Sequence, residues 1–201
     1  MSDRSFVRAG GYAGILLAIT SWAAVAAFFV NVGAQTFQLL YALIAFWALL
    51  GIGSVREVIR PVGQAWSRYA TLVGSIAAVG TIAGSLYDVA RIRAGMDIAA
   101  PNAANPLGVM TFALTGIWFF IATTLLSRTR GIPRLLVLLG YVAVADLALG
   151  FVATLLGVTV PIAIPGVAAP TPLATIAAIV AGGVGGPIFW LWLGIVLLRS
   201  A

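Results

Sequence analysis

The sequence predicts an all-α, polytopic membrane bundle of about six transmembrane helices with both ends in the cytoplasm. Three observations predict it. Of the 201 residues, 62% are hydrophobic and only 8% charged, where soluble domains carry about a quarter charged residues. The mean hydropathy is +1.13. Long uncharged runs cover residues 9–55, 69–87, 98–127 and 147–198; one span needs roughly 20 apolar residues, so the first and last runs each hold two. The arginines fall between the predicted spans in an alternating pattern that assigns a side to each connection.

The first two spans, 11–32 and 36–53, are joined by the short polar turn 31–35 and form an antiparallel hairpin. The N-terminal stretch has signal-peptide features, with Arg4 and Arg8 before an apolar run and Ala24-Val25-Ala26 as a cleavage-like site. The apolar run is too long for that reading, and a retained span is expected. Between spans two and three, Val55, Ile59, Val62 and Trp66 recur at helical spacing opposite Arg56, Arg60, Gln64 and Arg68. This pattern predicts a short helix lying in the headgroup region, limited by Pro61 to about two turns.

The third span is 69–90, followed by an outer loop over 91–106 with Arg91, Arg93, Asp97, Pro101 and Pro106. Spans four and five, 107–127 and 135–158, are linked through Arg128, Arg130 and Arg134. The apolar, proline-rich stretch 159–172 reads as an interfacial cap or re-entrant segment. The sixth span is 173–198, and the whole of 1–201 is expected to be one transmembrane domain.

Arg4, Arg8, Arg56, Arg60, Arg68, Arg128, Arg130, Arg134 and Arg199 then fall on one side and Arg91 and Arg93 on the other. Positively charged loops stay in the cytoplasm, so an even number of spans is required and a bacterial inner membrane location is expected. Three spans per half would invert the second half relative to the first, as in many transporters; no residue-level repeat accompanies it.

Lys, Cys and His are all absent. Disulfides, thiolate nucleophiles, Schiff bases and the usual zinc and haem ligands are therefore excluded, and no cofactor or metal is expected. The formal charge of +6 is dispersed between spans, which argues against nucleic acid as a partner.

Asp146 lies in the middle of the fifth span, where an ionised carboxylate costs a few kcal/mol or more. It shares a small-residue seam with Ala143, Gly150, Ala153 and Gly157, so it is expected to face protein or a polar cavity. With no polar residue three or four positions away on its own helix, its partner must come from another; Gln38, Tyr41, Ser75, Thr81, Thr111 and Thr115 are the candidates. It reads either as a proton, cation or ligand site or as a neutral interhelical hydrogen-bond donor.

Asp88 lies toward the outer end of a second seam, Ala70, Gly74, Ala77, Thr81 and Gly84, with Arg91 in reach on the same face. A helix-end ion pair is expected there. The pair of membrane carboxylates does not suit an intramembrane aspartyl protease, which needs both at one depth. Asp88 lies about 30 Å from Arg68 and Asp146 about 18 Å from Arg134 along their helices.

In the sixth span Gly182, Gly183, Gly185, Gly186 and Pro187 weaken the helix, through low propensity and a missing amide hydrogen. This reads as a kinked, tightly packed helix or as a discontinuous one that exposes carbonyls to an ion or substrate. Trp118 and Phe119 in the fourth span, and Trp190 and Trp192 in the sixth, are candidate contacts for a lipophilic ligand such as a pigment or quinone; core packing is the plainer reading.

The opening Arg8-Ala9-Gly10-Gly11-Tyr12-Ala13-Gly14-Ile15-Leu16 and the ending Pro187-Ile188-Phe189-Trp190-Leu191-Trp192-Leu193-Gly194 resemble those of uncharacterised six-helix bacterial integral membrane proteins of unknown function. The resemblance implies a single six-helix bundle and supplies no activity. The sequence therefore predicts a non-enzymatic accessory or scaffold subunit, partnered by the lipid bilayer and by other membrane proteins or a lipophilic pigment. The alternative is a small proton- or cation-linked carrier or channel using Asp146 and the break at 182–187.

Overall fold

The computed structural model describes residues 4–30, 32–96, 106–155 and 184–200. Among them are six helices and no strand: α1 (Arg4–Phe29), α2 (Ala34–Ile59), α3 (Gln64–Arg93), α4 (Pro106–Leu126), α5 (Arg134–Leu155) and α6 (Gly186–Ser200). Three, covering Arg4–Ala27, Ala34–Ile59 and Gln64–Arg93, are long and apolar enough to cross a membrane. The cap-like stretch 159–172 and the first part of the predicted sixth span lie outside the described residues.

Each helix from α1 to α5 packs against the next, and α6 returns along α1 and, more lightly, α5, closing a ring. α2 also touches α4 and α6 across the middle. Glycines at 33 and 131, with φ of 94° and 85°, stand in the turns before α2 and α5, where a left-handed residue reverses the chain.

Helix hydroxyls are largely returned to their own backbone. Thr20, Ser21, Thr71, Thr81, Thr115 and Thr124 each donate to the carbonyl four residues earlier, at 2.7–2.9 Å. This lets apolar helices carry Ser and Thr without a partner for each. Thr123 departs from the pattern: fully buried, its hydroxyl has no hydrogen-bond partner and points at the bare face of Gly140.

The expected headgroup helix between spans two and three is not formed. α2 continues unbroken to Ile59, a turn covers residues 60–62, and α3 begins at Gln64. Val55 and Ile59 are buried in the core, whereas Val62 and Trp66 are exposed. A 3.6-residue periodicity fits any helix with one dry face; here the apolar face of 55–59 meets neighbouring helices rather than lipid headgroups. Pro61, unable to donate an amide hydrogen, stops α2.

The core concentrates toward the arginine-rich end. Val7, Val55, Ile59, Ala70, Leu125 and Leu136 join Phe189, Trp190, Leu193 and Leu197 in one cluster. Close approach there depends on missing side chains. A Cβ on Gly194 would stand 2.6 Å from the Gly11 carbonyl oxygen, and one on Gly14 2.9 Å from that of Trp190, so α1 and α6 meet backbone to backbone.

Candidate functional site

One face of α2 carries a row of polar side chains. Gln35, Gln38 and Tyr41 are three residues apart, which stacks them one below another along the helix. With its amide turned so that the oxygen faces Arg93, the orientation that pairs acceptor with donor, Gln35 accepts from Arg93 Nε at 3.2 Å and Nη2 at 3.1 Å. Gln38 Nε2 donates to Asp88 Oδ2 at 3.2 Å, with both side chains buried. Tyr41 lies within electrostatic reach of Asp146, itself partly buried on α5. The row thus faces Arg93 and Asp88 on α3 and then Asp146.

Asp88 gains a partner that helix spacing did not identify. Arg91 is within electrostatic reach of the carboxylate, as expected from its position one turn on, and its guanidinium also stands 6.0 Å from the Tyr87 ring centre. The neutral amide of Gln38 completes the environment from α2. Of the six candidate partners for Asp146, Gln38 is therefore committed to Asp88, and Tyr41 is brought within electrostatic reach of Asp146. Thr81 and Thr115 donate to their own helices. Thr111 packs its methyl group against Gly80.

Of the α5 seam, Gly150, Ala153 and Gly157 have side-chain surroundings outside the described residues; of the α3 seam, Thr81 and Gly84 are partly buried. Ala70, Gly74, Ala77 and Asp88 are buried along α3, and Trp118 Cδ1 lies 2.5 Å from where a Gly74 Cβ would be. Ala143 is buried on α5.

The two aromatic clusters meet. Trp118 stacks on Trp190 with centroids 5.4 Å apart and planes 3° from parallel. Phe119 tilts against Phe189 at 5.2 Å, and Phe189 meets Trp190 edge-on. All four are buried. The ring faces offered by the sequence as contacts for a lipophilic ligand are covered by one another; Trp192 packs partly buried against the same cluster. The sequence identified both clusters but not their contact, which depends on how α4 and α6 are rotated.

Gly182 and Gly183 lie outside the described residues. Val184 and Gly185 form a wide π-helical turn running into α6, and Gly186 and the buried Pro187 follow as its first residues. A displaced hydrogen-bond pattern beside a residue without an amide hydrogen is a local accommodation helices commonly make. Among the described residues, no group of acidic side chains is gathered in a metal-binding arrangement.

The Gln38–Asp88 bond yields a direct expectation. Asp88→Ala leaves a buried amide donor unpaired and should lower stability by about 1–3 kcal/mol, while Gln38→Leu/Asp88→Leu should recover part of that loss. Thermal unfolding in detergent measures it; additive losses would show that the two side chains do not act as a pair.

Compared with known proteins, the chain matches no family model, no curated protein and no solved structure.

Proposed function

We propose that this chain is a six-span protein of a bacterial cytoplasmic membrane, with both ends inside, that binds and passes a proton or small cation through its interior. The observation that carries the reading is the polar row of α2, Gln35, Gln38 and Tyr41, set against Arg93, Asp88 and Asp146 in an otherwise apolar bundle. Carboxylates within a membrane face the bundle interior and mark ion paths or proton relays. Asp88 is occupied by Gln38 and serves as a fixed polar anchor. Asp146, deeper along its helix and only partly buried, is the group that takes up and releases charge. A proton or cation on Asp146 neutralises it, and the Tyr41 hydroxyl, within electrostatic reach, offers a group through which that charge can be shared. The π-helical turn at Val184 and Gly185 supplies a second polar backbone feature leading into α6.

Reconstituted in liposomes, the protein should carry proton or alkali-cation flux, and Asp146→Asn should reduce it at least about tenfold, the usual effect of neutralising an essential charge-carrying group. Unchanged flux with an intact fold would remove the carboxylate from the mechanism.

A second reading, a non-enzymatic accessory or scaffold subunit, is favoured by a different observation. α1 and α6 approach backbone to backbone at Gly11, Gly14 and Gly194, a contact suited to a rigid element rather than to one that rocks. On that reading the partner is another membrane protein, and the protein purified in mild detergent should retain it. Recovery as a stable monomer without co-purifying protein would overturn it.

A further inference from the structure

We infer that the arginine-rich end of the bundle selects anionic phospholipids, with the headgroup phosphate held at Arg68 and Arg130 and the acyl chains laid along the outer face of α3. The inference rests on the membrane-spanning reading but not on ion transport.

Charge comes first. Apart from Arg56 and Arg60, which are partly buried, every one of the nine arginines at this end is exposed. The sequence sets only Asp3 and Glu57 against them, and Glu57 is engaged by Arg60 at 3.4 Å. The excess positive charge therefore requires counterions from outside the chain. Two of the arginine-bearing segments also lie side by side. A Cβ on Gly63, in the turn between α2 and α3, would lie 3.1 Å from Leu125 Cδ2 near the end of α4. That turn, leading to Arg68, therefore sits beside the connection carrying Arg128 and Arg130.

The surface next to this charge is the second observation. Trp66 and Tyr69 flank Arg68, are 60% and 48% exposed, and meet edge to face with centroids 6.1 Å apart. Amphipathic rings of this kind settle at the boundary between headgroups and hydrocarbon. Beyond them Leu72, Ile76, Val79 and Leu86 continue the exposed face of α3 away from the charged end. Arg68, the Tyr69 ring and the apolar lane thus follow one another along one side of α3, with Trp66 reaching Tyr69 from the charged end. A nucleic acid or a soluble anion would use the first of these alone; a diacyl phospholipid with an anionic head uses all three. Guanidinium groups hold phosphate oxygens through paired hydrogen bonds, and basic residues at the membrane surface attract anionic lipid.

The full chain in mild detergent, titrated separately with phosphatidylglycerol and phosphatidylcholine and observed by native mass spectrometry, tests the inference. Phosphatidylglycerol should be retained in preference, and Arg68→Gln and Arg130→Gln should each weaken its binding about fivefold while leaving phosphatidylcholine uptake unchanged. Inorganic phosphate should fail to displace the bound lipid. Equal retention of the two lipids, full phosphatidylglycerol binding by the double variant, or displacement by phosphate would overturn the proposal. Failure to take up either lipid would instead count against the membrane-spanning reading itself, and the Asp146→Asn flux result stands independently of every arm.

Discussion

Gly194→Val is expected to destabilise the bundle by about 3 kcal/mol or more, beyond the usual range for inserting extra methylenes into a packed interior. The obstacle is backbone rather than side chain. A Cβ at position 194 would stand 2.6 Å from the Gly11 carbonyl oxygen and 3.1 Å from the Ile15 amide nitrogen, neither of which can move aside without separating α1 from α6. That contact holds α6 to the start of the chain and, among the described residues, α6 packs only lightly on α5. Even Gly194→Ala should be costly, since the clash begins at the first carbon. The contrast is Leu138→Ala on the exposed side of α5, which should be close to neutral. Thermal unfolding of the three variants in one detergent provides the comparison; a Gly194→Val protein as stable as the parent would show that α1 and α6 are not in backbone contact.

Trp190→Ala should cost about 3–5 kcal/mol, the range for truncating a large buried aromatic side chain. Trp190 stacks on Trp118, meets Phe119 and Phe189 edge-on, and presses on Gly51, where a Cβ would stand 2.6 Å from its ring. It therefore links α2, α4 and α6 near the middle of the bundle. On the proposed membrane-spanning reading little hydrophobic drive holds helices together and packing contacts carry the association, so lost ring contacts are not offset by solvent. Trp190→Phe should retain a substantial part of the stability. The loss of Trp118–Trp190 stacking would be visible in the near-ultraviolet circular dichroism, and an unaltered spectrum for Trp190→Ala would contradict the stacked arrangement.

The order of helices and their approximate limits were legible because each is built on a long apolar run bounded by arginine, glycine or proline. Helices extend beyond the predicted spans, as with α2 over Ala34–Ile59, since hydropathy locates the apolar portion and not the turns that project past it. The small-residue seam of α3 was legible for a related reason: Ala70, Gly74, Ala77 and Asp88 share a face by spacing alone, and a carboxylate among small residues has to face protein. The pairing of Gln38 with Asp88, fifty positions apart, was not legible. It depends on the rotation of α2 against α3, which apolar surroundings leave unmarked in the sequence. The Trp118–Trp190 stack was hidden in the same way. The segment 55–59 shows the opposite difficulty, a clear amphipathic signal whose dry face could have met either lipid or protein.

An antiparallel alternation of helices gathers nine arginines at one end of the bundle. The chain contains no cysteine, so Val62→Cys, Ala94→Cys and Arg130→Cys each introduce a unique reactive thiol, the first and third at the arginine-rich end and the second beyond α3 at the other. With a membrane-impermeant maleimide applied to intact bacterial spheroplasts, Ala94→Cys should be labelled at once, and Val62→Cys and Arg130→Cys only after permeabilisation. Labelling of positions 62 and 130 from opposite faces of the membrane would contradict the layout.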